Sequence, residues 1–308
     1  MSQDLKINEV ADRLKFRLLP NEVRGFILRA GTPVVYSVLP ASELPAKGTL
    51  VFLHGVGSNA SRWEEFVERT PLKQSWDLVR IDLRGHASSE TRLAGTLEAH
   101  SADLVAILDA LNVPQAVMVG HSLGAHIAMQ FAHMYPDRAK ALVLVDPLVD
   151  EALTEVAIKK RAWRPYLKVI SSVARLFNRL GIKRQLPYYS LRAHDQVARE
   201  MLSQGGDQLQ AFIKEYSSPF KDLGHIHTAD YTRDLIEISR VSADISQFPR
   251  PVLVVAATSG KITSPEKVRA WTQRLKQGHM DMVECIHWPF TECPDDISRV
   301  IQTWISAL

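Results

Sequence analysis

A serine held between two glycines, Gly120-His121-Ser122-Leu123-Gly124, follows directly on the apolar run Ala116-Val117-Met118-Val119. Few features restrict a fold more. Behind the pentapeptide, Ile127, Ala128, Phe131 and Ala132 recur at helical spacing, so the segment reads as a buried strand giving way to a helix. The turn between the two has to be sharp. A residue at its apex sits at strained dihedrals, and side chains two positions to either side would collide with the returning backbone, which glycine at 120 and 124 avoids. Such a turn pushes the Ser122 hydroxyl out beyond the strand end, where it can act as a nucleophile.

Two further motifs fall where acyl transfer needs them. The run Leu50-Val51-Phe52-Leu53 is followed by His54-Gly55-Val56-Gly57-Ser58, a turn whose backbone N–H groups can face a developing oxyanion. Val56 and Leu123 are the expected donors. Near the C-terminus, His287 ends the stretch Met282-Val283-Glu284-Cys285-Ile286. An imidazole in the loop after a last strand can reach a serine after a central one and take its proton as general base.

These pieces resemble the α/β-hydrolase family over nearly the whole chain. The resemblance rests on His54-Gly55-Val56-Gly57, on Asp82-Leu83-Arg84-Gly85-His86-Ala87-Ser88, on Gly120 to Gly124, on Pro251-Val252-Leu253-Val254-Val255, and on His287 with Glu292 and Pro294. It implies an α/β fold with an eight-stranded, mostly parallel sheet, helices on both faces and an inserted helical cap. It also implies a serine hydrolase that needs neither cofactor nor metal. The expected substrate is a small-molecule carboxylic ester of short or medium acyl chain, cleaved through an acyl-enzyme. Thioesters, lactones, amides and the C–C bond of a vinylogous diketone remain open to the same machinery. Dehalogenase and epoxide hydrolase activities are not expected, because members with those activities carry Asp where Ser122 stands.

The chain departs from the family pattern at one position of chemical weight. In Pro251-Val-Leu-Val-Val-Ala-Ala257-Thr-Ser-Gly260-Lys-Ile-Thr-Ser-Pro265, the place of the usual triad aspartate is taken by Gly260. Ala257, Ile286 and Ala87 likewise stand where glycines are usual. A carboxylate behind the imidazole fixes its tautomer and stabilises the imidazolium. Asp146 is the first replacement: it ends the apolar run Ala141-Leu142-Val143-Leu144-Val145, which in the family's sheet order lies between the nucleophile strand and the strand ending near Gly260. The resemblance to lipases and dehalogenases with an acid after the sixth strand implies the same. An Asp-Pro after a strand also often only caps a turn. Glu266 is a second candidate and a site without an acid a third; a separate reading takes Gly260 as the mark of lost catalysis, in a protein that binds a ligand or a partner.

Composition excludes more than it identifies. With 308 residues, 46% hydrophobic, 23% charged and a formal net charge of +3, the chain is long enough for a large core, and no nucleic-acid partner is expected. Oligomeric state is not legible. The first ten residues have no apolar h-region, and no apolar run approaches the roughly 18 residues of a membrane span, so we expect a soluble, cytoplasmic protein without stable membrane insertion. Cys285 and Cys293 flank the His287 loop and suggest no disulfide framework.

Phe26–Ala30, Gly31-Thr32 and Pro33–Leu39 read as an opening hairpin. Further strands are expected near 49–53, 76–82, 115–120, 141–146, 251–257 and 281–286, separated by helical patterns, as in a mostly parallel sheet. Residues 1–149 and 232–308 are expected to form the core and 150–231 the cap. Within the cap, Tyr166, Val169, Ile170, Val173, Phe177 and Leu180 make one apolar face, while Lys159 to Arg184 holds nine Lys and Arg residues, Lys160 and Lys183 among them, and no acid. Such a helix can lie on an anionic lipid surface or bind an acidic partner. The expectation preferred here is that the apolar face covers the active site and the charges are merely solvated. Other residues are read as structural: His225, His227 and Asp230 as packing rather than a metal site, His54 and His121 as partners of turn backbone, Asp82 and Arg84 as a pair. Trp63 and Trp288 are expected to border the pocket.

Overall fold

The structure is a computed structural model that describes residues 17–308, apart from positions 92, 183 and 217 and the side chains of 160, 209 and 215. Its strands are β1 (Val23–Arg29), β2 (Thr32–Leu39), β3 (Thr49–Leu53), β4 (Asp77–Ile81), β5 (Ala116–His121), β6 (Ala139–Val145), β7 (Val252–Ala257) and β8 (Gly278–Val283). They form one sheet in the order β1-β2-β4-β3-β5-β6-β7-β8. β1 and β2 pair antiparallel through a two-residue turn in which Ala30 and Gly31 both have positive φ, 46° and 76°, the geometry that matches strand twist in short hairpins. β2 is antiparallel to β4, and all other pairs are parallel.

Helices in chain order are α1 (Glu64–Arg69), α2 (Leu97–Ala110), α3 (Leu123–Met134), α4 (Glu155–Arg161), α5 (Arg164–Arg179), α6 (Leu191–Gln204), α7 (Gly206–Tyr216), α8 (Pro219–Asp222), α9 (Thr228–Ile238), α10 (Pro265–Thr272), α11 (Pro289–Glu292) and α12 (Pro294–Ser306). Every residue of β3, β5 and β7 is buried, which is why these strands read as unbroken apolar runs rather than alternating ones. Alternate side chains feed two layers. Val51, Leu53, Met118, Leu142 and Leu144 pack with α2 and α3 on one face, and Leu50, Phe52, Val117, Val119, Val143 and Val145 pack with α1 and α12 on the other. Each such side chain contributes roughly 1.5–3 kcal/mol, and the ends of β3, β5 and β6 are anchored in this double layer.

α4 to α9 lie between β6 and β7. α9 runs to Ile238, past the expected boundary at 231, and Ile238 packs on the core cluster beneath α3. The last strand ends at Val283 rather than reaching Ile286. The reason is local: Cys285 N–H turns back to Val283 O at 3.0 Å, and the next amides bond a side chain instead of a neighbouring strand.

The expectation that the basic helix turns its apolar face onto the active site is overturned. α5 packs on α9 through a narrow stripe, with Ser171 Oγ donating to Ala229 O at 3.2 Å, and Ser171 is its one buried residue among those described. The apolar face lies to the side of that stripe and is exposed: Tyr166, Val169, Ile170, Val173, Phe177 and Leu180 all face solvent. Helical spacing marks an apolar face without specifying what covers it.

Candidate active site

Ser122 bridges β5 and α3 with φ +53° and ψ −111°, a strained backbone for a residue with a Cβ. The two glycines are close-packed for the reason inferred from sequence. A Cβ on Gly120 would lie 2.2 Å from Gly124 O, and one on Gly124 would lie 2.1 Å from Leu53 O. The turn is held by Ser122 N–H donating to Val145 O at 3.0 Å. The neighbouring His121 donates from Nε2 to His287 O at 2.9 Å, and burial pushes the His121 imidazole well below its ordinary pKa. It therefore serves as a neutral strut between the two catalytic candidates.

Asp146 caps β6, and its carboxylate reaches His287. Oδ2 accepts from His287 Nδ1 at 2.5 Å, and Oδ1 accepts weakly from Ala257 N–H at 3.4 Å. The sheet order places β6 between β5 and β7, so its C-terminal end stands beside the serine turn. Asp146 has φ +45°, and its N–H donates to Val255 O at 2.7 Å; Asp is among the few non-glycine residues that adopt this conformation readily. Gly260, at the usual acid position, also has positive φ, +63°. Glu266 is exposed at the start of α10 and accepts from Ser264 Oγ at 2.7 Å.

The loop that carries His287 is clamped by a residue the sequence marked only as a motif match. Glu292 accepts from Ile286 N–H at 2.8 Å, His287 N–H at 3.1 Å and Trp288 N–H at 2.8 Å. One carboxylate thus satisfies three successive amides that have no strand partner. Cys285 hydrogen-bonds to Cys293 beneath this loop, and that contact together with burial raises the Cys285 pKa; both cysteines are free thiols.

Ser122 and His287 line the same cavities, although no hydrogen bond joins the hydroxyl to the ring among the described contacts. Catalytic hydrogen bonds commonly tighten only when substrate is bound. Val56 lines the cavities with them. Leu123 is the first residue of α3, so its N–H has no intrahelical acceptor. Neither it nor Val56 N–H bonds to another described residue. His54 shapes the turn: Nδ1–H donates to Gly55 O at 2.9 Å, Nε2 accepts from Leu83 N–H at 3.1 Å, and burial holds its pKa well below normal. Asp82 and Arg84 are not a pair. Asp82 accepts from Ala60 and Ser88 N–H at 2.8 and 3.0 Å, while Arg84 bonds Asp103 with two nitrogens, at 2.9 and 2.5 Å.

Above the strand ends, a cavity of about 190 Å³ is lined by Tyr189, Tyr216, Lys221, Asp222 and Trp288, and a second, of about 470 Å³, by Leu148, Leu153, Val156, Trp163, Leu167 and Leu235. Trp63 borders neither; it is fully buried against Phe52 and Phe290. Asp222 packs so closely over Gly57 that a Cβ there would meet its Cγ at 2.5 Å, and burial pushes its carboxyl up to about 7. Asp230 is also raised to about 7 by burial. Beside it, His86 donates to Asp234 at 2.8 Å; burial would lower its pKa, but the carboxylates of Asp234 and Asp230 outweigh that and raise it to about 9. His225 and His227 point to different partners, Gly57 O at 2.9 Å and Glu90 at 3.4 Å, and no cluster among the described residues could hold a metal ion. Arg62 joins α6 to α11, just after His287, bonding Asp195 at 2.7 and 2.8 Å and Thr291 at 2.8 Å.

The sequence profile of the alpha/beta hydrolase fold matches residues 48–294, and the chain belongs to that family. A serine hydrolase-like protein of Danio rerio is 25% identical over 280 residues, which is 85% of this chain and 82% of that one. The dihydrolipoyllysine-residue acetyltransferase component of an acetoin cleaving system, from Cupriavidus necator, is 33% identical over 152 residues, 46% of this chain and 40% of its own length. Among solved structures, a thermophilic esterase from Thermogutta terrifontis superposes with a TM-score of 0.63 at 20% identity, covering 92% of this chain and 98% of that one. Membership supports a hydrolase, and no helix among the described residues is long and apolar enough to cross a membrane.

Proposed function

We propose that the protein is a serine hydrolase that cleaves carboxylic esters of short or medium acyl chain through an acyl-enzyme. The reading rests on one observation above others, the 2.5 Å contact between Asp146 and the His287 ring in a chain that lacks the usual acid at 260. Ser122 Oγ attacks the acyl carbonyl while His287 Nε2 takes its proton. Asp146 holds the Nδ1–H tautomer and stabilises the imidazolium. Val56 and Leu123 N–H receive the oxyanion, His287 returns the proton to the leaving alcohol, and water activated by the same imidazole releases the acid. Residues 150–231 act as a cap whose helices shape the acyl site, with α9 extending it into the core.

A fluorophosphonate probe and the variant Ser122→Ala test this together. Labelling of the parent at Ser122, and loss of at least roughly 10³-fold in 4-nitrophenyl butyrate hydrolysis in the variant, are expected with no change in Tm. A variant rate within tenfold of the parent would remove Ser122 from the mechanism. Absence of labelling would favour the ligand-binding reading.

A further inference from the structure

The exposed face of α5 and the larger cavity are parts of one surface. Trp163 is 65% exposed and opens the row of apolar side chains that continues through Tyr166, Val173 and Leu180, the last 66% exposed. The same Trp163, whose ring lies 5.7 Å from that of Tyr166, lines the 470 Å³ cavity together with Val156, Leu167, Ser122 and His287. The apolar face is therefore continuous with the route to the reactive hydroxyl. A contiguous row of exposed large apolar side chains marks a docking surface. Its flank identifies the occupant: Lys159, Lys168 and Arg179 are exposed and make no ion pair among the described residues, and Lys159 to Arg184 contains no acid.

We propose that α4 and α5 seat the protein on an anionic lipid surface, from which amphiphilic acyl esters enter the cavity and reach Ser122. The docked helix lies in the interface plane, with its apolar side chains among the acyl chains and Lys159, Lys168 and Arg179 against the headgroups, as expected of a basic amphipathic helix. A protein partner could cover the apolar row equally well. It would give no reason for the row to lead into the catalytic cavity. The delivery of substrate rests on the ester-hydrolase reading; the docking itself does not.

Flotation with phosphatidylglycerol and phosphatidylcholine vesicles separates the two. The full chain should bind the anionic vesicles at least about tenfold better at 0.1 M salt, with the preference fading at 0.5 M, since each cation near the surface contributes on the order of a fivefold gain. Ser122→Ala should bind equally, so failure of the catalytic reading leaves this result intact. The double variant Val173→Asp/Leu180→Asp, at two exposed positions, should keep its Tm and its rate on soluble 4-nitrophenyl butyrate while vesicle binding falls at least about tenfold. Lys168→Glu/Arg179→Glu should lose the anionic preference. Equal binding to both vesicle types, or unchanged binding by the aspartate variant, overturns the proposal. So does a dimer in light scattering that the aspartate variant dissolves, because a second copy would then own the face.

Discussion

Replacing Asp146 by asparagine isolates the charge behind His287 from nearly everything else about the site. The residue sits at φ +45°, which Asn adopts as readily as Asp and which costs a residue without a short polar side chain more, so the turn after β6 should keep its shape. The side chain keeps its volume in a buried position. What changes is acceptor capacity. The carboxylate has one oxygen at 2.5 Å from Nδ1 and the other facing Ala257 N–H at 3.4 Å, whereas an amide has a single acceptor oxygen for both donors. If that oxygen stays on the ring, the imidazolium loses its anionic partner. If it turns to Ala257, the amide N–H₂ confronts Nδ1 and drives the ring into the tautomer that cannot accept the serine proton. Either arrangement should lower kcat/KM for 4-nitrophenyl butyrate by roughly 10² to 10⁴-fold, about 3 to 5.5 kcal/mol of barrier. Stability should move little, because the lost hydrogen bond is replaced by a weaker one. Glu266→Gln, on the exposed end of α10, should change the rate less than twofold. A rate for Asp146→Asn within tenfold of the parent at equal Tm would refute the assignment, and His287 would then act without a carboxylate.

Two further outcomes concern the inserted helices and the pH response. Asp195→Ala strands the buried Arg62 guanidinium without its carboxylate and should reduce stability by roughly 3–5 kcal/mol, seen as a Tm loss of at least about 6 °C; a smaller loss would mean that Arg62 finds water instead. Asp230 has a folded pKa near 7, above its ordinary 3.8, so the folded state favours the protonated form, and stability is lost as pH rises from about 4 through 7. Asp230→Asn should therefore match the parent near pH 4 and gain on it as pH rises towards 8, by on the order of 1 kcal/mol or more once the support that His86 loses with the carboxylate is subtracted. Parallel urea midpoints at both pH values would sink the reasoning.

The parts of this molecule that sequence makes legible are those fixed by neighbours in the chain or by sheet order. Ser122 is found from a strand, a helix and two glycines within a few residues. The approach of Asp146 to His287 is legible because the family's sheet order, which the resemblance supplies, places the end of β6 beside the Ser122 turn. Other features depend on partners far away in sequence and leave no periodic trace. Arg84 bonds Asp103 rather than Asp82 because the carboxylate of Asp82 is already taken by Ala60 and Ser88. Asp222 reaches Gly57 across 165 positions of chain. β8 ends early because Glu292 draws the following amides away from the sheet. The direction of α5 is the largest of these, since amphipathic spacing is identical whether the apolar face is buried or exposed.

Gly124 has a further consequence for how the site can vary. Its Cα rests against the carbonyl of Leu53 so closely that no side chain fits between, and Leu53 is the last residue of β3 before the His54 to Gly57 turn. Ser122 and the expected oxyanion turn are thus set against one another by a backbone contact between the start of α3 and the end of β3, and from 150–231, among the described residues, Asp222 and His225 reach the turn only at Gly57. The helices above can shift, or be exchanged for others, without disturbing the seat of Ser122 on β3, whereas the Gly57 end of the turn would lose its Asp222 and His225 contacts. On the serine-hydrolase reading, grafted helices would therefore alter which acyl groups arrive, and would also have to supply a new brace at Gly57 for the oxyanion turn to keep its shape.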